Sequence, residues 1–315
     1  MIRLFSIPMR TRFRRVVRRE GALIHGPAGW GEFSPFPEYP PEVCARWLAS
    51  AREAAGKPWP RPVRDRVPVN VTVPAVGPEQ AHAIVTASGC ATAKVKVAEP
   101  GQSLDDDLAR VEAVRDALGP GGRVRVDANG AWDVDGAARA IKALDQFELE
   151  YAEQPCATLE EMARLRRQVD VPLAADESVR TAEDPLRVAG LEAADLVVLK
   201  VQPLGGVWPS LEVAEAAGLP AVVSSAVETS IGIAAGIALA AALPELPYAC
   251  GLATVALLEG DVVADPLLPV GGAILVRRPE VDPEALARYE LRGPEAGRVL
   301  DRMAAADHLS WPVVG

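Results

Sequence analysis

The chain has 315 residues, of which 49% are hydrophobic, and a formal net charge of −10 at pH 7. This acidity argues against a surface for nucleic acid or anionic membrane, so we expect a small-molecule partner. The first residues, MIRLFSIPMR, lack the order of a signal peptide, and no uninterrupted apolar run reaches about 18 residues. We therefore expect a cytoplasmic protein. Nothing in the sequence indicates an oligomeric state.

The four cysteines are far apart in the chain and form no CxxC or Cys/His pattern. This spacing favours neither a disulfide framework nor a zinc site, and we expect the cysteines to be small buried hydrophobic residues. They are Cys44, Cys90, Cys156 and Cys250.

Residues 1–66 have the pattern of a small α+β capping domain. Alternating strand-like pieces precede the turn-rich stretch GWGEFSPFPEYPP, and a helix is predicted from about Pro41 to Ala55. The composition becomes mixed again after about Gly260. We expect part of residues 260–315 to pack on the capping domain or to close the second domain.

From Val67 onward, short β-branched runs alternate with amphipathic helical stretches such as LDDDLARVEAVRDALG. This alternation over 67–260 predicts an α/β fold, a modified TIM-type (β/α) barrel with the capping domain beside it. A doubly wound open sheet is the main alternative, but no glycine-rich phosphate loop follows the first strand. The eight predicted strands cover 67–74, 91–97, 122–130, 147–155, 171–178, 194–203, 219–228 and 247–254.

Charged residues and one asparagine occur near the ends of five of these strands. Because catalytic side chains of such barrels lie at the carboxyl ends of the strands, we expect these residues to converge. Three carboxylates in a partly dry cavity repel one another unless a cation lies among them, and oxygen ligands suit Mg²⁺. A nearby cation also lowers the pKa of a lysine and makes it a usable base. The residues are Lys94, Lys96, Asp127, Asn129, Glu153, Asp176 and Lys200.

The order KVK, DANGAW, EQP, DES, LKVQPLGG and SSAVETSIG resembles the enolase superfamily, in the branch that places lysines on both faces of the substrate. The resemblance covers nearly the whole chain. It implies that Lys96 is the acid/base and that Lys200 faces it across the substrate. It also implies a Mg²⁺ ion bound by Asp127, Glu153 and Asp176.

Within the superfamily, GWGEFSPFPEYPPE resembles the enzymes that dehydrate 2-succinyl-6-hydroxy-2,4-cyclohexadiene-1-carboxylate in menaquinone biosynthesis. The implied reaction is a syn elimination of water from a dianionic carboxylate, in which Lys96 removes a proton and returns it to the leaving hydroxyl. Lys94 and Lys200 would stay cationic beside the dianionic intermediate. The resemblance implies further substrate contacts from Asn129, Ser224, Ser225, Ser230 and Gly232.

Two other functions stay open. One is racemisation of N-acylamino acids or epimerisation of dipeptides, by relatives that use the same lysines and carboxylates. The chain has Gly251 to Thr254 where dipeptide epimerases carry an acidic pair, which weakens that alternative. The other is an inactive barrel that serves only for binding, although none of the expected ligands or lysines is missing. The three histidines lie outside the strand ends, which disfavours relatives with a histidine base; they are His25, His82 and His308.

Two features have more than one interpretation. The basic stretch from Arg10 to Arg19 is either a solvated hairpin of the capping domain or a lid that attracts a dicarboxylate. Arg125, two residues before Asp127, either forms an ion pair with the carboxylates or points elsewhere.

Overall fold

The computed structural model describes residues 1–13, 16–180 and 184–310. Its first part is an antiparallel sheet of three strands, β1 (Ile2–Phe13), β2 (Val16–Gly26) and β3 (Gly29–Phe33), in which β2 lies in the middle. Helix α1 (Pro41–Gly56) packs on β3, and its buried residues recur at helical spacing. Residues 14 and 15 of the basic stretch lie outside the described residues.

The second part contains one parallel sheet of seven strands, each paired with the next in chain order. The strands are β5 (Val71–Val73), β6 (Thr92–Lys96), β7 (Arg123–Asp127), β8 (Leu149–Glu153), β9 (Leu173–Ala175), β10 (Leu196–Lys200) and β11 (Ala221–Ser224).

Helices connect these strands, as parallel pairing requires. Side-chain caps fix where some of them begin: Ser103 and Thr158 form capping boxes with Asp106 and Glu161. The helices are α2 (Pro78–Ser88), α3 (Leu104–Leu118), α4 (Val134–Leu144), α5 (Leu159–Arg166), α6 (Asp184–Gly190), α7 (Val201–Leu204), α8 (Val207–Ala217) and α9 (Ser230–Ala242).

The eighth predicted strand, 247–254, is reduced to two bridging residues. Cys250 pairs with Val69 beside β5, and Gly251 pairs with Ser224 at the end of β11, so the segment joins the two edges of the parallel sheet. The predicted α/β barrel fold is therefore confirmed, with a short irregular segment in place of its last strand.

The first predicted barrel strand, 67–74, is split. Its first half is β4 (Arg66–Pro68), which pairs outside the parallel sheet with β12 (Ala273–Leu275). Between β4 and β5, Asn70 donates its backbone N–H to the Cys250 carbonyl. The run 194–203 is also shorter than predicted, because Val201–Leu204 is helical and Gly205 then adopts a φ of +94°.

The rest of the chain returns to the first part. Helix α10 (Pro283–Ala287) precedes α11 (Pro294–Ser310), which packs against α1. The Leu291 N–H donates to the Leu4 carbonyl of β1. The domain limits 1–66 and 67–260 stay a prediction.

The barrel core consists mainly of valine, leucine and alanine side chains between the sheet and its helices. Arg125 lies fully buried inside the barrel, where it donates to Glu150, to Asn70 and to the Ala249 carbonyl. Among the described residues, its hydrogen bonds and ion pair go to these groups and not to Asp127 or Glu153, so its contacts support the interpretation that Arg125 points away from the metal carboxylates. All four cysteines are buried and free. Within 1–13, 16–180 and 184–310, no helix combines the length and apolarity needed to cross a bilayer.

Candidate active site

The parallel register places the charged residues of adjacent strands side by side. Lys96 of β6 is opposite Asp127 of β7, and Asp127 is opposite Glu153 of β8. Asp176 follows β9 directly, and Lys200 ends β10. The sequence predicts this convergence because all these strands point in one direction.

Each of the three carboxylates forms an ion pair with a lysine. Lys94 Nζ lies 2.7 Å from Glu153 Oε1 and 3.2 Å from Asp127 Oδ2. Lys96 Nζ lies 2.5 Å from Asp127 Oδ2, and Lys200 Nζ lies 2.5 Å from Asp176 Oδ2. Each carboxylate is 1% exposed, so these charges interact in a site shielded from water.

The two lysines of β6 differ in their electrostatic surroundings. Burial would lower the pKa of Lys94, but the carboxylates of Glu153 and Asp127 outweigh it and raise that pKa. Burial lowers the pKa of Lys96, and the neighbouring Lys94 ammonium contributes in the same direction. Lys94 is therefore a fixed cation, whereas Lys96 is shifted toward the free amine that a general base requires.

The carboxylates have the composition of a Mg²⁺ site. Within the part of the chain that the structure describes, no group of three His, Cys, Asp or Glu side chains is arranged to hold a metal, and lysine ammonium groups bind the carboxylates. Asp176 Oδ1 is nevertheless buried without a hydrogen-bond partner, and a buried carboxylate oxygen requires a donor or a cation. The donor set and this unsatisfied oxygen fit a hard divalent cation.

A cavity opens above these residues. Seven of the predicted site residues line it: Lys94, Lys96, Asp127, Asn129, Lys200, Ser224 and Ser225. Glu153 and Asp176 do not line it directly and are linked to it through Lys94 and Lys200.

Ser230 and Gly232 lie outside the lining of this cavity. Both are in the first turn of α9, where Ser230 Oγ donates to Asp261 and the Gly232 N–H donates to Glu32. The sequence pattern places them close to Ser225 in the chain, but the helix that begins at Ser230 turns their polar groups toward other partners.

Several lining residues were not predicted. Phe13 and Phe36 come from the first part of the chain, and the Phe13 ring centroid lies 5.3 Å from Lys96 Nζ. Phe13 falls within the basic stretch, and its charged neighbours in the sequence give no indication that its ring lines a cavity. Thr72, Gly251 and Thr254 also line the cavity, and Thr254 is hydrogen-bonded to Ser225.

Arg180 also belongs to this site. Its guanidinium donates to Asp176 Oδ2 and to the hydroxyl of Tyr39. Burial would raise the pKa of Asp176, but Arg180 and Lys200 hold it below its usual range. The arginine thus connects a carboxylate at the end of the barrel to the loop before α1.

The chain matches the family described as enolase C-terminal domain-like over residues 78–281, and the family described as enolase N-terminal domain-like over residues 4–55. It belongs to the enolase superfamily.

The o-succinylbenzoate synthase of Thermobifida fusca is 67% identical over 312 residues, which are 99% of this chain and 97% of that protein. The o-succinylbenzoate synthase of Mycolicibacterium smegmatis is 54% identical, over 98% of this chain and 95% of that protein. In structure, the chain is similar to muconate lactonizing enzyme from Pseudomonas fluorescens, with a TM-score of 0.80, 24% identity and coverage of 92% and 98% of the two chains.

Proposed function

We propose that this chain dehydrates 2-succinyl-6-hydroxy-2,4-cyclohexadiene-1-carboxylate to o-succinylbenzoate in menaquinone biosynthesis. The observation that carries the proposal is the 67% identity, over 99% of the chain, with a protein named o-succinylbenzoate synthase. The site supports it independently, because lysines from β6 and β10 line one cavity from opposite parts of the sheet.

In this proposal Asp127, Glu153 and Asp176 hold Mg²⁺. The bound ion would polarise the carboxylate of the substrate and so acidify the adjacent C–H bond.

The proton transfers are assigned to Lys96. Its Nζ takes the proton α to the ring carboxylate, and the electron pair of that C–H bond is first delocalised into the carboxylate group. The pair then forms the new ring double bond as the bond from carbon to the neighbouring hydroxyl breaks. The hydroxyl leaves with its electron pair and receives the proton from Lys96, so that water and an aromatic ring are formed. Asn129 Oδ1, 2.6 Å from Lys96 Nζ, orients the ammonium group between the two transfers.

The other cations stabilise negative charge on the substrate. Lys94 and Lys200 both line the cavity, and the carboxylates of Glu153 and Asp176 hold their ammonium groups in place. Ser224 and Ser225 present hydroxyl groups on the same wall and are assigned to the substrate's polar substituents. A small dianionic carboxylate suits this lining, and we place the reaction in the cytoplasm.

Racemisation of N-acylamino acids and epimerisation of dipeptides are not favoured as the main activity. The curated relatives at 52% to 67% identity are named o-succinylbenzoate synthase. The similar solved structures include an L-Ala-D/L-Glu epimerase from Bacillus subtilis, but at 22% identity this likeness concerns the fold alone.

The proposal is tested by following the ultraviolet spectrum of the cyclohexadiene substrate with purified protein and Mg²⁺, and again after EDTA treatment. Aromatisation changes the spectrum directly. We expect rapid conversion with Mg²⁺, loss of conversion with EDTA and recovery when Mg²⁺ is restored. Absence of conversion by protein that binds Mg²⁺ would refute the proposed reaction.

A further inference from the structure

The loop between β11 and α9 contains a strained residue in the wall of the cavity. Val227 has a φ of +63°, in the left-handed region that β-branched residues rarely adopt. It is 2% exposed and lines the cavity together with Ala226. Such a conformation persists only where surrounding contacts enforce it.

One of these contacts comes from the other part of the chain. Arg19 of β2 is 2% exposed, and its Nε donates a hydrogen bond of 3.0 Å to the Val227 carbonyl. Its Nη2 donates to the Ser34 carbonyl, and the guanidinium carbon lies 4.4 Å from the centroid of the Phe36 ring. Phe36 is itself part of the cavity lining.

The rest of the loop is held from both sides of Val227. Glu228 Oε2 accepts a 2.7 Å hydrogen bond from the Ala226 N–H, and Glu32 accepts hydrogen bonds from the Thr229 N–H and hydroxyl. These contacts fix the neighbours of Val227, but among the described hydrogen bonds Arg19 is the side chain that binds the Val227 carbonyl itself.

We infer that Arg19 is a positioning residue, which holds Val227 in the left-handed conformation and so sets the wall of the cavity formed by Val227 and Phe36. A planar guanidinium suits this task, because it bonds two carbonyl groups in fixed directions while it stacks on a ring. The inference rests on one part of the proposed function, namely that the substrate binds in this cavity.

The test is a double-mutant cycle with R19M and V227G. Glycine adopts positive φ without strain, so removing the Arg19 guanidinium should lower kcat/KM less when residue 227 is glycine. We expect R19M to lower kcat/KM by about tenfold, mainly through KM, and by less than about threefold in the V227G background. R18M is the matched control, since exposed Arg18 bonds only to Ser6 among its described partners; it should leave both constants unchanged.

The inference would be overturned if R19M lowered kcat/KM by the same factor with valine and with glycine at residue 227, or if R19M did not lower it at all. If R19M does not fold, R19K retains the buried charge but loses the paired donors, and the same cycle applies. A crystal structure of either Arg19 variant adds a readout that does not depend on turnover. Departure of residue 227 from positive φ supports the inference, and an unchanged φ overturns it. If the unsubstituted protein fails to dehydrate the substrate, the proposed function fails, while the φ of residue 227 still decides the role of Arg19.

Discussion

Lys96 differs from the other lysines of the cavity in the groups that bind its ammonium. It contacts Asp127 and the neutral Asn129, whereas both carboxylate oxygens of Glu153 accept from Lys94. Burial lowers the pKa of Lys96, so less free energy is needed for its deprotonation than for that of Lys94. The residue that can change its protonation state is therefore the one assigned to proton transfer.

We predict that Lys96→Ala abolishes dehydration, with a rate at least about a hundredfold lower, because general acid/base catalysis contributes on this scale. Mg²⁺ binding by calorimetry and the unfolding transition should stay close to those of the unsubstituted protein. Lys142→Ala, on the exposed face of α4, is the control and should retain full activity. A variant at residue 96 that keeps more than about a hundredth of the rate would remove Lys96 from this role.

Asp176→Asn tests the metal assignment. Replacing a carboxylate by an amide removes a charge from the proposed ligand set, so we expect Mg²⁺ to bind at least about tenfold more weakly. Asp116→Asn is the matched control, since the Asp116 side chain is 80% exposed on α3. The measurement is Mg²⁺ titration calorimetry; an affinity equal to that of the control would mean that Asp176 is not a ligand.

The strands were easier to predict than the segments that complete them. Alternation of β-branched runs and amphipathic helices is a local pattern, so the order of the parallel strands and the charged residues at their ends could be predicted from the sequence. The split at Asn70 and the irregular segment at Cys250 and Gly251 depend on partners far away in the chain. No local pattern contains that information.

We predict that Gly251, in the irregular segment that replaces the eighth strand, does not tolerate a larger side chain. A Cβ at Gly251 would lie 2.5 Å from Ser224 Oγ, so an alanine there would push the segment away from β11. We expect Gly251→Ala to lower the free energy of unfolding by about 1–3 kcal/mol and to reduce activity. Gly121→Ala is the control, because no atom lies within 4 Å of the added methyl group. Urea unfolding of both variants measures the difference, and equal stabilities would contradict the predicted clash.

At the scale of the whole molecule, the antiparallel sheet of β1, β2 and β3 and the barrel meet at a buried carboxylate. Glu32 of β3 accepts hydrogen bonds from the N–H groups of Thr229 and Gly232, at the start of α9. Burial, and then the nearby Glu228 carboxylate, raise the pKa of Glu32 to about 7. We therefore expect the contact between the two parts of the chain to be sensitive to pH.

The sign of this effect follows from proton linkage. Glu32 has a higher pKa in the folded state, about 7, than its ordinary value of 4.5, so the folded state holds this proton more tightly. Its contribution to stability is full below pH 4.5 and is lost as the pH rises toward 7.

Glu32→Gln should therefore flatten the fall in unfolding free energy across this range, by at most about 1.4 kcal/mol per pH unit. Urea unfolding at several pH values measures the slope. The exposed Glu245→Gln serves as the control and should keep the slope of the unsubstituted protein. An unchanged slope in Glu32→Gln would show that this carboxyl does not titrate there.

The contacts between the barrel and the sheet of β1, β2 and β3 could not be predicted from the sequence. Phe13, Arg19 and Phe36 reach the cavity or its wall only because the antiparallel sheet docks on the strand ends. Val227 is the clearest case, since valine is among the residues least suited to positive φ and its carbonyl accepts a hydrogen bond from Arg19 of β2. The convergence of the lysines and carboxylates could therefore be predicted from the sequence and the shape of the surrounding cavity could not, and the catalytic and metal-binding roles of those residues stay a prediction.

The most direct test of the central claim compares two reactions of one Mg²⁺-loaded preparation. The measured quantities are kcat/KM for dehydration of the cyclohexadiene substrate and kcat/KM for racemisation of N-acylamino acids. We predict that dehydration exceeds racemisation by at least about tenfold, because the cavity is proposed to bind the transition state of the elimination. An equal or higher value for racemisation would contradict the assignment of the chain as a dehydratase.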